Sequence, residues 1–170
     1  MKHPKSELYS AMIPTFEAKN ANGFSSELEV LALSVESDED LNVVLLKYEN
    51  LLNVISQNEK NVDSESNTFE KKVFLVKALL EIAAEEYAIG IVDGNIENKF
   101  EYQDALGFTT VAKNILKEAT LLNSSEKEKR DKIIEIIDSL SPLWPSLVPI
   151  KKISGDASVI LNAISKINSI

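Results

Sequence analysis

The stretch EIAAEEYAIGIVDGNIENKFEYQDALGF, Glu81 to Phe108, decides how the chain folds. It holds the end of one apolar-periodic segment and the start of another, split by Asp93-Gly94. Glycine accepts the left-handed conformation at a helix end, so the pair reads as a stop signal. Upstream, Phe69, Val73, Val76, Leu80, Ala83 and Tyr87 share one helical face, and the helix ends near Ile91. Downstream, Asn98 with Glu101 three residues later forms a capping arrangement. The helix it opens presents Ala105, Phe108, Ala112, Ile115, Ala119 and Leu122. Two amphipathic helices on a short connection pack antiparallel. Gly90 and Gly107 lie inside these helices, where glycine costs about 1 kcal/mol against alanine, so close helix–helix approach is the expected reason for both.

Working outward, the same period recurs in both directions. Asn67 with Glu70 is a plausible cap for the upstream helix, and Gln57 to Asn67 reads as a polar loop. Before it, Leu41, Val44, Leu45, Tyr48, Leu51, Leu52 and Ile55 form one stripe. Ser37-Asp38-Glu39-Asp40 supplies its N-terminal signal, a cap with negative charge where the helix dipole favours it. Ser26 with Glu29 has the form of a capping box for a short helix through Val35. Those two pieces are either one kinked helix or two. Earlier still, Leu8, Met12 and Phe16 mark a first segment that Pro14 interrupts or kinks, followed by a turn at Asn22-Gly23. Toward the C-terminus, Asn123-Ser124-Ser125 breaks the helix before it, and Ser125 with Glu128 opens a helix carrying Ile133, Ile137 and Leu140. Pro142, Pro145 and Pro149 forbid regular helix. Ser154 is placed to cap a last helix with Ile160, Ala163, Ile164 and Ile167 inside. The expectation is an all-α fold: one domain over 1–170, an antiparallel up-down helical bundle of about four long helices plus one or two short ones.

Composition narrows the chemistry. The 170 residues carry a net charge of −9, which disfavours nucleic-acid binding and anionic membranes. There is no cysteine, so disulfides, thiolate metal sites and a cysteine nucleophile are excluded. The single histidine, His3, lies near the start, so an internal Ser-His-Asp triad, a His-Glu-x-x-His zinc site and a Glu-x-x-His di-iron site have no histidine to use. Neither common glycine-rich phosphate loop occurs. No apolar run reaches about 18 residues, and Met1-Lys2-His3-Pro4 is not followed by the apolar stretch of a signal peptide.

Carboxylates are what remains. Glu81 and Glu85 lie at i, i+4 on one helix, beside Glu86; Glu101 and Asp104 lie at i, i+3 on the next. Antiparallel helices bring these five toward one end of the hairpin, and carboxylate oxygens suit iron, Ca²⁺, Mg²⁺ or Mn²⁺. The plainer account makes them solvated acids of an acidic surface, with Glu101 serving its own cap and Tyr87, Tyr102 and Phe108 serving the core. Pro142-Leu-Trp-Pro145 fits a P-x-x-P ligand pattern, and equally a helix-breaking corner with Trp144 closing one end of the core.

Glu86-Tyr87, Gly90, Asp93-Gly94, Glu101-Tyr102, Asp104-Ala105 and Gly107-Phe108 together form a pattern over about 30 residues. It resembles a helical domain found in the extracytoplasmic portion of some bacterial high-affinity iron permeases and associated periplasmic proteins. The permease's own Arg-Glu-Gly-x-x-Glu iron motif is absent, so transport as an activity does not carry over. The resemblance implies a non-enzymatic accessory or sensing domain, outside the cytoplasm, linked to iron or other metal uptake. Its partner would be a membrane permease or another protein, and Glu81, Glu85, Glu86, Glu101 and Asp104 would contact iron or another divalent cation. The alternative is a helical protein–protein interaction module with no metal.

Overall fold

Helical periodicity translates into seven α-helices in the computed structural model, which describes residues 9–62, 68–148 and 152–170. They are α1 (Ser10–Ala18), α2 (Ser25–Glu36), α3 (Leu41–Val62), α4 (Phe69–Gly90), α5 (Lys99–Lys117), α6 (Ser124–Asp138) and α7 (Ala157–Asn168). Between α4 and α5 lie two short strands, β1 (Ile91–Val92) and β2 (Asn95–Ile96). The chain divides into two units, Met1–Glu65 and Ser66–Ile170.

The first unit holds α1 to α3. α1 runs through Pro14, the fifth of its nine residues, where proline forfeits the bond that an N–H there would make to the Ser10 carbonyl. Asn20 and Gly23 take positive φ and turn the chain, as expected at Asn22-Gly23. Tyr9, Phe16 and Phe24 pack as an aromatic trio, with centroids 5.0–5.7 Å apart. α2 and α3 are two separate helices, which decides between the two readings of that region. The cap of α2 differs from expectation. Ser26 does not cap α2, whose N-cap is Phe24; instead its hydroxyl meets the neighbouring Glu27 carboxylate. Ser37 ends α2, and the Asp40 carboxylate accepts the Asn42 N–H at 2.9 Å to start α3. Asp40 is the last residue of the Ser37-Asp38-Glu39-Asp40 signal, so the start of α3 agrees with the sequence reading. α3 also continues to Val62, through most of the expected polar loop; Asn67 lies outside the described residues.

The second unit is an up-down four-helix bundle. α4 packs on both α5 and α7, and α6 on both α5 and α7. Up-down order follows from the open end, where the start of α4 (Phe69, Phe74), the start of α6 (Ser125, Lys129) and the end of α7 (Ile167) line one cleft. The buried residues take the expected faces of three helices: Phe69, Val76, Leu80, Ala83 and Tyr87 from α4; Ile133 and Ile137 from α6; Ile160, Ala163, Ile164 and Ile167 from α7. On α5 the buried face is turned relative to the expected one. Tyr102, Ala105, Thr109, Ala112 and Leu116 are inside, while Phe108 and Ile115 are half-buried and Leu122, past the helix, is 85% exposed. Thr109 is tolerated there because its hydroxyl donates to the Ala105 carbonyl at 2.9 Å. Each helix has a side-chain cap, from Thr68, Asn98, Asn123 and Asp156. Of these, Asn98 is the cap that the sequence predicts. Asn123 pre-empts Ser125 because it accepts the Glu126 N–H at 2.9 Å while the Glu126 carboxylate reaches back to the Leu122 N–H at 2.7 Å, a box-like arrangement two residues earlier. Asp156, an ionised acceptor, takes the place assigned to Ser154.

Candidate functional site

The hairpin end of the bundle is the place the sequence singled out. There α4 stops at Gly90, and β1 and β2 pair Ile91 with Ile96 and Val92 with Asn95. Asp93 and Gly94 both take positive φ, 52° and 76°. That is the geometry of a two-residue β-hairpin turn, for which Asp-Gly is a strong signal. The left-handed conformation was expected at this pair, but its setting is a hairpin rather than a helix cap. Glu97 and Asn98 donate backbone N–H bonds to the Gly90 carbonyl.

Gly90 is glycine because α5 crosses directly against it. A Cβ there would lie 2.6 Å from the Tyr102 backbone nitrogen and 2.8 Å from its Cα, atoms that have no room to yield. Gly107 does not play the same part: a Cβ there meets nothing within 4 Å, because the residue sits on the exposed side of α5. Gly94 also sits under a close neighbour, since a Cβ would approach the Ile153 carbonyl oxygen to 2.8 Å. The Ile153 N–H donates to the Gly94 carbonyl at 2.8 Å, and Lys152 Nζ to that of Asp93 at 3.3 Å. The segment before α7 is thereby seated on the turn.

Behind the turn, Tyr87 and Tyr102 are wholly buried, with ring centroids 6.2 Å apart. Trp144 packs edge-on against Tyr87 at 5.4 Å and donates its indole N–H to the Tyr102 carbonyl at 3.2 Å. Tyr102 donates its hydroxyl to the Ser146 carbonyl at 2.8 Å, and the Tyr87 hydroxyl lies 3.4 Å from that of Leu143. Pro142-Leu-Trp-Pro145 is therefore a corner, with a 3-10 turn over Ser141–Leu143, pinned onto the core by three aromatic side chains. Burial first, then the neighbouring Tyr102 and Asp156, pushes the Tyr87 phenol up to about 12. Burial also raises Tyr102. Both phenols stay protonated at neutral pH and act as hydrogen-bond donors.

The five carboxylates occupy different surroundings. Glu81 and Glu85 are exposed, one turn apart on α4. Glu86, one residue round the helix, is half-buried, and one of its carboxylate oxygens lies below the surface. Glu101 is 6% exposed, in the first turn of α5, where the Asn98 side-chain amide reaches it at 3.5 Å. Asp104 is exposed. The structure joins Glu81 to Glu85 by helix geometry and Glu101 to its cap. Among the described residues no three acids or histidines converge as a metal-holding group.

Asn58 falls in the stretch that the sequence assigns to a polar loop, yet it lies on α3. It is 6% exposed in the first unit; its side chain accepts the Gly23 N–H at 2.8 Å and donates to the carbonyls of Gly23 and Val54 at 3.0 and 2.9 Å. Its only sequence signal was a polar residue in line with Leu51 and Val54 on α3.

A family model described as an iron permease-associated 4-helix bundle domain matches residues 62–170. No curated protein and no solved structure gives a significant match.

Proposed function

The chain belongs to the iron permease-associated 4-helix bundle family, and on that premise we propose that it acts as a non-enzymatic, extracytoplasmic accessory domain of an iron-uptake system. One observation beyond the family carries the non-enzymatic part. The polar aromatic cluster is committed to the chain's own backbone: Tyr87 and Tyr102 donate to carbonyls of the corner, and Trp144 of the corner donates to the Tyr102 carbonyl on α5. Its phenols are pushed away from the range in which they would exchange protons with a substrate. What the bundle offers is surface, and its partner in this reading is a membrane permease or a protein beside it. No helix among the described residues is long and apolar enough to cross a membrane. The carboxylates fit a loose contact with hydrated iron or another divalent cation, centred on Glu81 and Glu85, with Glu86, Glu101 and Asp104 near the same hairpin. A caged site would need at least three converging oxygens.

Two measurements test this. Vesicles carrying an iron permease should retain the purified protein, and empty vesicles should not; equal retention overturns the accessory reading. Calorimetric titration with Fe²⁺ or Mn²⁺ should give weak heat that is lost in the double variant Glu81→Gln, Glu85→Gln. A parent protein that gives no heat removes the cation contact and leaves the accessory role standing.

A further inference from the structure

The most telling unassigned feature is the long helix of the first unit. On α3, Leu41, Leu45, Tyr48 and Leu52 follow one another at i, i+4, i+7 and i+11, one stripe of a 3.6-residue period. A stripe of this kind is what a helix buries. Here the four side chains are 69, 47, 47 and 45% exposed. Val44 and Ile55 beside them are half-buried, and Leu51 alone of the expected stripe is fully inside. The open stretch is about 17 Å long at helical rise, the span of a short docked helix.

The charge around it selects the occupant. The first unit has five lysines against twelve acids, a net −7, whereas the second has thirteen cations against fifteen acids, a net −2. Asp38 and Asp40 are exposed at the N-terminal end of the stripe, and Glu49 and Glu59 are exposed along α3. Lys47, the one cation among the described side chains of α3, is already bonded to Glu39. A second copy would bring another −7 against the first, and like charges facing each other are penalised. An anionic bilayer is repelled for the same reason. A basic helix is attracted.

We infer that the Leu41–Leu45–Tyr48–Leu52 face of α3 docks a basic amphipathic helix of another protein, with apolar residues at helical spacing against the stripe and Lys or Arg toward Glu49, Glu59 and the Asp38–Asp40 turn. The inference does not rest on the iron-uptake reading, because these residues precede the family match, which begins at 62. An amphipathic helix in a groove or on an open helix face gains affinity from its apolar anchors, and the charges set its rate and choice of partner.

The test is fluorescence anisotropy of the full chain with three labelled synthetic peptides of about 18 residues, the length that covers such a face. The first carries leucines at i, i+4, i+7 and i+11 with flanking lysines; the second scrambles the same composition; the third has glutamate in place of lysine. The first should bind, more weakly as salt rises, and the others should not. Leu45→Gln with Leu52→Gln, both at exposed positions, should leave the helical circular dichroism unchanged and weaken binding about tenfold or more, the loss of two apolar anchors. Equal binding of the scrambled peptide reduces the effect to net charge and overturns the proposal, as does a double variant that binds like the parent. Self-association in sedimentation that the double variant abolishes would hand the face to a second copy. Retention on zwitterionic vesicles that the double variant abolishes would hand it to lipid.

Discussion

α3 and α4 are both 22 residues long, and both carry an apolar stripe at helical spacing. Their fates differ. The α4 stripe, Val76, Leu80, Ala83 and Tyr87, is buried to 0% exposure, enclosed by α5 and α7. Along α3, four of the seven stripe residues remain open. Periodicity states that a helix has an apolar side; whether that side is satisfied depends on how many partners the unit supplies. Four helices around a shared axis close a core, whereas α2 packed on α3 covers one flank only.

If that contrast is sound, core truncation should separate the two helices most. Leu80→Ala should destabilise the bundle by about 3–4 kcal/mol through lost burial and a residual cavity, whereas Leu45→Ala should stay within about 0.5 kcal/mol. Urea unfolding followed by Trp144, the chain's single tryptophan, reads the first; circular dichroism reads the second. Comparable losses would mean that the α3 stripe is packed after all. Next in size, Gly90→Ala should cost about 2–3 kcal/mol, because its Cβ meets Tyr102 backbone. Gly107→Ala, in open space within a helix, should stabilise by up to about 1 kcal/mol. The same urea curves report both glycine variants. Asn58→Ala should loosen the first unit by about 2 kcal/mol, since it leaves the Gly23 N–H and carbonyl without their partner. Faster amide exchange at Gly23, with unchanged exchange in α5, would locate that loss.

A smaller effect depends on pH. Bonds from Lys47, then Ser34, hold the Glu39 carboxyl below its ordinary value. A depressed folded-state pKa means that the stabilisation is present above the unfolded carboxylate range and fades as pH falls through the lower folded value. Glu39→Gln should therefore flatten the acid limb of the first unit's stability. A variant that keeps the full acid dependence would assign it to other groups.

How much of this the sequence carried differs by level. Helix existence and core faces were legible wherever a strict period met a closed bundle, as on α4, α6 and α7. The α5 face was misjudged because Thr109, a polar residue, takes a core position by bonding its own helix, and no period rewards that. Caps were misplaced by one or two residues where two candidate acceptors stood close together. At the site, Gly90 was read for the right reason, and the Trp144 corner followed the plainer of its two readings. The long-range bonds from Tyr102 to Ser146 and from Asn58 to Gly23 join residues 44 and 35 apart, a separation at which no local pattern speaks.

The Asn58 bond also bears on how the protein ages. Asparagine is among the thermally labile residues, and an Asn-Gly pair loses its amide when the glycine nitrogen attacks the asparagine side chain to close a five-membered imide. Asn22-Gly23 is such a pair, and its glycine nitrogen is held by Asn58 Oδ1 at 2.8 Å while the backbone there is fixed at positive φ. The attacking atom is thus engaged elsewhere for as long as the turn stays folded. Mass spectrometry of stored protein should find Asn22 intact in the parent and converted faster in Asn58→Ala; equal conversion in the two would show that the turn gives no such shelter.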